Sequence, residues 1–453
     1  MIDFNEIGKY KENNRIEAKK ALGGLPESIW ETYSAFANTL GGILLLGVEE
    51  LPGKTLRCID LPDPAKLLRR FRELLEDRTK VSANILSEED LQIHEIDGKH
   101  VISIRVPRAL RTDRPVYINQ DPFSGTYRRN GEGDYRCTSD EIEAMLRDAA
   151  IQTHDMQVCS GLSLDALDAE TIARCRACGN SAEDADDPAF LSRTGAAACA
   201  EDGQLRPTAA GILLFGRMET IRSHFPEYRL AYTGASAGKR RFDNNILEFY
   251  FSVCREIDAL PAAADPDVKR GIREAFANCL INADYYAPGG ISVVSAPAHI
   301  SFSNPGSFRI RKESAYAGGI SDPRNTIIFR IFKYMNIGKG RGGGIQNLFS
   351  VWRRRGFSAP EIREQFQPDR ITVLLPLTAA RESAPGRLGA AELEAGGAAV
   401  IEYLTENICA RAAELSEALG FPLRETEALI DALREKGIIT ERPDDSGAFV
   451  LKS

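Results

Sequence analysis

Residues 17–50 read EAKKALGGLPESIWETYSAFANTLGGILLLGVEE, and this stretch decides the fold of the first part of the chain. Apolar side chains recur at helical spacing between Pro26 and Ala37, which predicts a helix with one buried face. After a pair of glycines, the short apolar run ILLLGV is ended by two carboxylates, which is typical of a buried strand. A helix followed directly by a buried strand predicts an α/β domain.

The α/β pattern continues outward from this stretch to about residue 148. Two strands are predicted at 91–96 and 100–106, joined by an Asp-Gly turn. A helix at 139–148 closes the segment, because Ser and Asp begin it and apolar residues follow at helical spacing. We therefore predict a first domain over residues 1–148.

Helices and strands also alternate between residues 160 and 378, which predicts a second α/β or α+β domain. The apolar runs at 205–216 and 370–377 are predicted to contain strands, and 291–304 is predicted as a hairpin. A helix is predicted at 272–284. The whole chain is therefore expected to be of the α/β (α+β) multidomain class.

The C-terminal residues 396–453 follow a linker at 379–395 that is rich in Ala, Gly and Glu. Three helices followed by a two-stranded hairpin predict a winged helix-turn-helix. Arg424 and Thr426 lie near the start of the third helix, where side chains that read base edges are placed. That helix carries more carboxylates than cations, which leaves protein contact or dimerisation as the alternative use.

Composition restricts the class of protein. With 453 residues the chain is too long for one core, and roughly 150 residues per domain implies about three domains. No run approaches the eighteen or so apolar residues of a spanning helix, and the polar N-terminus lacks a signal-peptide core. A cytoplasmic protein without membrane contact is predicted. The net charge of -8 requires any nucleic-acid contact to rest on local basic patches.

The nine cysteines are scattered along the chain. Cys175 and Cys178 lie one helical turn apart, but no second pair or nearby histidine completes a zinc site. Buried free thiols are therefore the simpler interpretation.

Carboxylates in the first domain have a spacing that suggests a metal site. Glu12 and Glu17 lie close together in the sequence, and Glu49 ends the apolar strand. Carboxylates on neighbouring elements can hold a divalent metal, and such a metal can activate water against a phosphodiester. The alternative is that these acidic side chains are solvated at the surface.

The stretch 17–50 resembles the signature of the AlbA-type domain found in Schlafen proteins and in many bacterial regulators. This signature consists of an acidic-plus-lysine segment, a helix ending in A-x-A-N-x-x-GG, and a strand ending in G-V and acidic residues. Residues 115–117 and 127–131 are similar to the closing motif of that domain. The matching positions of the signature are Glu17, Lys19, Ala35, Ala37, Asn38, Gly41, Gly42, Gly47, Val48, Glu49 and Glu50.

This resemblance implies two activities. Many bacterial members are described as DNA-binding transcriptional regulators, whereas some Schlafen proteins are metal-dependent endoribonucleases that use two glutamates and an aspartate. Glu12 and Glu17 match the spacing of the glutamate pair, but the strand here ends in Glu49 and Glu50 instead of an aspartate. The resemblance therefore leaves a nuclease acting on structured RNA open beside a DNA-binding regulator.

Basic residues near these motifs are candidate nucleic-acid contacts. Arginines beside aromatic residues suit phosphate contact and base stacking, as at Tyr127. The alternative is that such arginines protect the edge of a sheet. The candidates are Lys19, Arg105, Arg108, Arg111, Arg114, Arg128, Arg129 and Arg136.

A helix in the second domain carries Glu274 and Asn278, four residues apart and therefore on one face. This pair resembles the E-x-x-x-N box of the GHKL ATPases, in which the glutamate polarises the attacking water and the asparagine binds magnesium. The stretch 300–308 is similar to the glycine box of that class, and 338–348 to its flexible lid. The nucleotide-binding residues implied by this resemblance are Asn278, Asn304, Gly306, Gly340, Gly342 and Gly344.

The order of these motifs resembles the ATPase-like domain of regulators described as RecG-like, to which residues 208–216 and 322–325 are also similar. Two positions depart from the pattern. Asn304 stands where GHKL enzymes place the aspartate that recognises adenine, and residues 282–285 read Asn-Ala-Asp-Tyr instead of His-Arg-Asp-Tyr. The resemblance implies binding of ATP with magnesium more strongly than hydrolysis, and a scaffold with an altered pocket is the alternative.

Together these features predict a bacterial, DNA-binding transcriptional regulator. An AlbA-type domain and a winged helix would contact DNA, and the ATPase-like domain would sense a nucleotide or mediate dimerisation in a homo-oligomer. The alternatives are a metal-dependent nuclease and a protein-interaction scaffold with inert sites.

Overall fold

The chain forms two compact units in the computed structural model. Unit 1 contains Met1–Asn347 and Glu361–Leu375, and unit 2 contains Leu348–Pro360 and Pro376–Ser453. Within the described ranges, no helix has the length and apolar character needed to cross a membrane. The structure describes residues 15–52, 55–131, 133–179, 186–234, 238–310, 320–337, 344–379, 396–397, 400–401, 403–404, 410–419, 421, 423–435, 437–442 and 445–451.

The N-terminal part of unit 1 is a mixed sheet with helices and two small ribbons. Its elements are β1 (Ile16–Lys19), α1 (Ile29–Asn38), β2 (Gly42–Leu46), β3 (Val48–Glu50), β4 (Leu56–Cys58), α2 (Pro64–Leu75), β5 (Leu91–Ile96), β6 (Lys99–Val106), α3 (Pro122–Gly125), β7 (Tyr127–Asn130), β8 (Gly133–Arg136) and α4 (Ser139–Ala149). The main sheet has the order β1-β2-β6-β5, and the ribbons are β3-β4 and β7-β8. Strand β1 runs parallel to β2, and the other neighbours are antiparallel.

Helix α1 lies at the centre of this part, and nine of its ten residues are buried. One face packs on the sheet, and the other contacts β7. The face of α1 towards β7 carries polar side chains, which form hydrogen bonds with backbone groups of the segments packed on it. Ser34 Oγ donates to Val116 O at 2.7 Å, and Asn38 Nδ2 donates to Val116 O and Tyr127 O at 2.7 and 3.1 Å. Asn38 Oδ1 accepts from Val116 N at 2.9 Å.

A glycine pair connects α1 to β2. Gly41 has a φ of +74°, and a β-carbon there would lie 2.8 Å from Val106 O. A β-carbon at Gly42 would lie 2.6 Å from the Phe36 ring. Only glycine at both positions lets the strand return directly beneath the helix.

The elements of the chain from residue 169 to residue 376 are α5 (Ala169–Cys178), α6 (Asp187–Thr194), β9 (Ala197–Cys199), β10 (Leu205–Pro207), α7 (Ala209–Phe215), α8 (Met218–His224), β11 (Leu230–Gly234), β12 (Gly238–Phe242), α9 (Ile246–Asp258), α10 (Pro266–Ile281), β13 (Ile291–Ala296), β14 (His299–Pro305), α11 (Thr326–Tyr334), α12 (Gly344–Arg354), β15 (Glu361–Gln365) and β16 (Arg370–Pro376). Helix α12 begins in unit 1, and its residues from Leu348 onward belong to unit 2. This part of unit 1 is built on a six-stranded sheet of order β12-β11-β13-β14-β16-β15. Strand β11 runs parallel to β13, and β15 runs antiparallel to β16. Helix α10 contacts α9, α11 and β14.

The predicted α/β (α+β) multidomain class is confirmed. The predicted strands at 91–96 and 370–377 and the hairpin at 291–304 are present. The apolar strand predicted within 205–216 is wrong, because residues 209–215 form helix α7. Thr208 caps this helix by accepting a hydrogen bond from Gly211 N, and a short buried apolar run does not by itself distinguish a strand from a helix.

Helix α10 begins six residues before the predicted position 272. The Asp265 carboxylate accepts hydrogen bonds from Asp267 N and Val268 N, and Pro266 occupies the first helical position. An aspartate cap followed by proline is a strong helix start. The predicted domain boundaries at 1–148, 160–378 and 396–453 stay predictions.

Unit 2 contains the C-terminal elements β17 (Ala410–Arg411), α13 (Ala412–Leu419), α14 (Leu423–Glu435), β18 (Ile439–Arg442) and β19 (Asp445–Leu451). Its antiparallel sheet has the order β17-β19-β18. The winged helix-turn-helix assignment stays a prediction. The core side chains of this unit are Val400, Leu404, Ala410, Leu415, Leu429, Ile430, Leu433, Ile439 and Phe449.

Replacing Asn38 with alanine tests the polar face of α1. The Asn38→Ala variant leaves the buried N–H and C=O of Val116 and the C=O of Tyr127 without these partners, and it should lower the free energy of unfolding by roughly 3 kcal/mol. Urea unfolding followed by tryptophan fluorescence measures this, because Trp30 lies in the same core. The exposed Gln92→Ala control should change stability by less than about 0.5 kcal/mol, and an equal effect in both variants contradicts the assignment.

Candidate functional site

Residues of the N-terminal signature belong to a partly buried network of charged side chains. Arg129 on β7 donates to Glu17 Oε2 and to Asp134 Oδ1, each at 2.8 Å. Glu17 Oε1 also accepts from Lys19 Nζ at 2.9 Å, and Thr32 Oγ1 donates to Asp134 Oδ2 at 2.6 Å. The network joins β1, α1, β7 and β8. Glu17, Lys19 and Arg129 are brought together here as structural partners of one another.

The described carboxylates do not fit the metal site suggested by sequence. Both oxygens of Glu17 accept from cationic side chains, and Glu49 pairs with Arg57 and Lys20. The hydrogen bonds from Arg57 and Lys20 lower the pKa of Glu49. Among the described residues, no three His, Cys, Asp or Glu side chains cluster as metal ligands. Glu12 lies outside the described residues.

Two predicted nucleic-acid contacts, Arg108 and Arg128, bind the hairpin β15–β16 instead. Arg108 Nη1 and Nη2 donate to Glu364 at 2.8 and 3.0 Å. Arg128 Nη1 and Nη2 donate to Asp369 at 2.5 and 2.8 Å. Both guanidinium groups lie over the Phe366 ring, at 5.6 and 5.7 Å from its centroid. Bidentate pairs of this kind are the strongest arginine–carboxylate contacts, so the hairpin is held firmly in this arrangement.

Arg128 is only 2% exposed. Burial disfavours its charge, yet the ion pair with Asp369 raises the pKa of Arg128 above its usual value. Arg105 differs, because its side chain is 65% exposed and pairs with Asp90 at 2.6 Å. Of the seven arginines of the first domain that were predicted as contacts, Arg105 and Arg136 are exposed, whereas Arg108, Arg128 and Arg129 are largely enclosed.

Arg114 is a buried cation without a close carboxylate. Its residue is 4% exposed, and its Nη2 approaches Phe308 O at 3.4 Å. Within the described part of the chain, no carboxylate oxygen pairs with it within 4.0 Å. Burial and the neighbouring Arg108 charge lower the pKa of Arg114 to about 9, so the side chain remains charged at pH 7. A buried charge without a pair is costly, and this position is therefore electrostatically unbalanced.

Further ion pairs join the N-terminal part of unit 1 to residues 284–324. Arg111 Nε donates to Asp322 at 2.5 Å, and Arg147 Nη2 donates to Asp284 at 3.1 Å. Arg324 Nη2 donates to Asp148 at 2.9 Å. A cleft of about 310 Å³, open to solvent, lies beside these pairs; its lining residues are Arg147, Asp148, His154, Ala283, Asp284, Tyr285, Tyr286, Arg309, Arg324 and Asn325.

The two residues of the predicted E-x-x-x-N box lie on α10 beside the start of α12. A β-carbon at Gly344 would lie 2.9 Å from Glu274 Oε1 and 3.6 Å from Asn278 Nδ2. Glu274 is half-buried, and Asn278 is exposed. The absence of a side chain at Gly344 therefore lets the Glu274 carboxylate lie against its backbone. Gly340 and Gly342 lie outside the described residues.

The predicted glycine box is arranged differently. Asn304 is 3% exposed, and its Nδ2 donates to Pro305 O at 2.9 Å and to Asn282 O at 3.4 Å. Gly306 has a φ of +104°, and a β-carbon there would lie 2.0 Å from Arg324 Nη1. The free face of Gly306 is therefore filled by a guanidinium group from the same chain, and the Asn304 amide is used internally.

Three sequence motifs meet at the C-terminal end of α10. Asn325 Nδ2 donates to Ile281 O at 2.9 Å and Ala283 O at 2.8 Å, and Asp284 N donates to Pro305 O at 3.0 Å. Hydrogen bonds to backbone carbonyl groups thus connect three stretches of the chain, which are 282–285, 304–306 and 322–325. Their resemblance to one family's motifs is explained by this shared structural position.

The predicted base-reading residues of unit 2 lie on α14. Thr426 is fully buried, so its side chain is not presented to a ligand in this arrangement. The side chain of Arg424 lies outside the described residues. The exposed residues of this helix include Glu427, Asp431, Arg434 and Glu435, which carry more negative than positive charge.

Comparison with known proteins assigns the N-terminal part. Residues 12–138 match the family "Schlafen, AlbA_2". The N-terminal domain of a putative ATP-dependent DNA helicase RecG-related protein from Nitrosomonas europaea is 33% identical. That match covers 30% of this chain and 90% of the other, with a TM-score of 0.24. The chain belongs to the Schlafen AlbA_2 domain proteins. The part from β1 to β8 is called the AlbA_2 domain below.

Two further stretches of this AlbA_2 protein match known families. Residues 290–375 match "Putative ATP-dependent DNA helicase recG C-terminal", and residues 143–231 match a domain of unknown function, DUF8451. A crystal structure of a protein from Corynebacterium diphtheriae is 17% identical, with a TM-score of 0.43, and the match covers 97% of this chain and 80% of that one. No curated protein matches the chain significantly. The region 290–375 is called the RecG-like region below.

Sequence reasoning missed the partners of the arginines. Glu364, Phe366 and Asp369 do not belong to any sequence motif. Of the hairpin that contains them, only the strand at 370–377 was predicted. The complementary charge on an element more than two hundred residues away gives no signal in a single sequence. The stretch 322–325, which contains Arg324, resembles a family motif, but the sequence does not predict that Arg324 packs against Gly306.

Replacing Arg128 tests whether its pair with Asp369 supports the fold. Arg128→Ala leaves Asp369 without its bidentate partner in a largely buried place, and it should lower the free energy of unfolding by roughly 3 to 5 kcal/mol. The exposed Arg105→Ala control should lose less than about 1 kcal/mol. Thermal unfolding of both variants by circular dichroism measures the difference. Equal melting temperatures would show that the pair is not a structural element.

Proposed function

We propose that this protein binds nucleic acid through its AlbA_2 domain, under the control of a nucleotide bound in the ATPase-like part of unit 1. The finer role is that of a DNA-binding transcriptional regulator. The observation that carries the proposal is the direct connection between the glycine box and the AlbA_2 arginines. Gly306 N donates to Asp369 O at 3.0 Å, and the Asp369 carboxylate holds Arg128.

A second hydrogen bond runs in parallel to the first. Phe308 N donates to Glu364 Oε1 at 2.8 Å, and the same carboxylate holds Arg108. The segment 304–308 therefore contacts both of the residues that hold AlbA_2 arginines. Any ligand that moves this segment changes the surroundings of Arg108 and Arg128, which is the physical requirement for coupling between two sites.

Glu274 and Asn278 suit the magnesium ion and phosphates of a bound nucleotide, whereas Asn304 suits its base less well. Asn278 would supply a carbonyl ligand to magnesium, and Glu274, which lies beside it at Gly344, would orient a water. Bound ATP with magnesium would supply a transferable phosphoryl group and a strong local charge. Asn304 offers an amide in place of a carboxylate, so recognition of adenine is expected to be weak, and hydrolysis slow.

The name of the RecG-like family and that of the Nitrosomonas protein both refer to DNA helicases, which supports DNA as the nucleic acid. The C-terminal elements in unit 2 have a different proposed role. Among the side chains of α14 that the structure describes, the exposed ones are mainly acidic, which favours contact with protein over contact with phosphates. Dimerisation through this unit is the proposed use, and it would give the homo-oligomer expected from the sequence.

Binding of a fluorescent ATP analogue to the full-length protein, measured by anisotropy with and without magnesium, tests the nucleotide site. Asn278→Ala should weaken binding by about tenfold or more in magnesium, because it removes a metal ligand. Arg270→Ala lies on the same helix and pairs only with nearby Asp267 among the contacts described, so it should change affinity less than about twofold. Equal affinities in all three proteins would contradict a nucleotide site at Asn278.

Nucleic-acid binding by the same proteins tests the other half of the proposal. Labelled duplex DNA, single-stranded DNA and structured RNA should bind in a salt-dependent way, and saturating ATP with magnesium should change the affinity by roughly fivefold or more. Cleavage of RNA in manganese, absent in EDTA and in a Glu12→Ala/Glu17→Ala variant, would favour the nuclease alternative instead. Absence of binding to all three nucleic acids would contradict the proposed function.

A further inference from the structure

The hairpin β15–β16 places chemically distinctive groups against the AlbA_2 arginines. Glu364 and Asp369 each accept two hydrogen bonds from one guanidinium group, and Phe366 places an aromatic ring beneath both guanidinium carbons. A short single strand of nucleic acid presents similar groups, because two of its phosphates can flank one unpaired base. In the hairpin, the two carboxylates correspond to the phosphates and the Phe366 ring corresponds to the base. The arginines are therefore arranged in a way that a nucleic-acid strand would satisfy.

The hairpin does not supply one carboxylate for each arginine. The AlbA_2 side contributes Arg108, Arg114 and Arg128, and the hairpin contributes two carboxylates. Glu141 on α4 adds a third carboxylate, 3.4 Å from Arg128 Nη1. Arg114 is buried between these groups, and among the described residues it has no carboxylate partner within 4.0 Å. A strand carrying one phosphate per nucleotide could compensate all three cations, whereas the hairpin compensates two. The surface is thus better matched to a polyanion than to the element that covers it.

We propose that Arg108, Arg114 and Arg128 form a binding site for single-stranded nucleic acid, and that the hairpin residues Glu364, Phe366 and Asp369 occupy this site as an internal mimic of the strand. This inference rests on the proposed function and specifies the site and its regulation. The strand is single because the ring beneath the two guanidinium groups corresponds to an unstacked base, which a duplex does not present. Nucleic acid and hairpin compete for the same arginines.

The geometry also explains how the site could be released. The hairpin is held from its other side by Gly306 N and Phe308 N, which donate to Asp369 O and Glu364 Oε1. Asn130 Nδ2 adds a hydrogen bond to Gln367 Oε1 at 2.8 Å. Strand β16 lies between β14 and β15 in the six-stranded sheet, so release of the site displaces the turn at 366–369 and the Glu364 side chain and not the whole hairpin. This displacement would break these polar contacts together and uncover the arginine cluster. The competing strand would replace two carboxylates with phosphates, so the exchange conserves the number of charged contacts at Arg108 and Arg128.

The test uses the full-length protein and a fluorescent twenty-nucleotide oligothymidine, its uridine RNA counterpart, and a DNA duplex of equal length. The double variant Glu364→Gln/Asp369→Asn keeps the size of both side chains and removes the competing charges. It should bind both single strands about tenfold more tightly than the wild-type protein, within the usual range of coupling between sites. The matched control is Glu361→Gln on strand β15. In the contacts described, Glu361 pairs with Arg363 and does not contact Arg108, Arg114 or Arg128. The control variant should bind both single strands with the affinity of the wild-type protein.

A third variant separates binding from folding. Arg114→Met removes a buried charge that has no described carboxylate partner, so the melting temperature of the protein should be maintained or raised. In the background of the double variant it should abolish the gain in affinity, and the logarithmic salt dependence should become less steep by about 0.7 for the lost phosphate contact. A loss of affinity without a loss of stability is not expected from a merely structural residue.

Hydrogen exchange of the wild-type protein supplies a readout that does not depend on any variant. Saturating oligothymidine should accelerate exchange at residues 364–369 and slow it around 108–114. The proposal is overturned if the double variant binds no more tightly than the wild type, or if oligothymidine protects the hairpin. Tighter binding of the duplex than of either single strand overturns the choice of ligand. Failure of every protein to bind any of the three probes overturns the proposed function as well.

Discussion

The ion pair between Arg128 and Asp369 connects the AlbA_2 domain to the RecG-like region. Arg128 is buried on β7, where its backbone also belongs to the segment that covers α1, and Asp369 lies at the turn of the hairpin β15–β16. A buried guanidinium is stable only with a well-aligned anion, and this anion comes from a strand more than two hundred residues later in the chain. The contact of Phe366 with Arg128 accompanies this pair, and the hairpin is also held by the place of β16 between β14 and β15 in the sheet.

The same constraint explains how an acidic protein can contain a strongly basic element. The segment from Arg105 to Arg136 is rich in arginine, but most of its charge is neutralised within unit 1 by Glu17, Asp134, Glu364 and Asp369. Basic residues in a sequence therefore do not measure the basic surface of the folded chain. Arg108, Arg128 and Arg129 are enclosed with internal carboxylates, whereas Arg105 and Arg136 remain exposed.

The ATPase-like motifs are brought together by hydrogen bonds rather than by a large cavity. Asn325 binds the carbonyl groups that follow α10, Asp284 N binds Pro305 O, and Arg324 fills the space over Gly306. Glu274, Asn278 and Gly344 are grouped beside the C-terminal half of the same helix. Of the residues predicted to bind a nucleotide, Asn304 donates to backbone carbonyl groups of the chain and Gly306 lies against Arg324. The glycine box has become part of the support for the hairpin.

Local chemistry was enough to predict much of the fold from the sequence. The apolar spacing of α1, the glycine pair at 41–42, and the strands at 91–96, 291–304 and 370–377 were readable because each depends on neighbouring residues. The short run at 209–215 was read wrongly, since burial on all sides removes the periodicity that separates a helix from a strand. The candidate residues Glu274 and Asn278 were found by their spacing, which places them on one helical face whatever the surroundings.

The partners of the charged residues were decided by the tertiary structure. The polar face of α1 is buried because its side chains form hydrogen bonds with the backbone at Val116 and Tyr127. Residues 29–38 alone do not show that this distant segment packs on the helix. Likewise, the sequence shows that Arg108 and Arg128 are cations near a family motif, but it does not show which anion they meet. That choice depends on the distance between side chains separated by more than two hundred residues, and only the folded chain sets this distance.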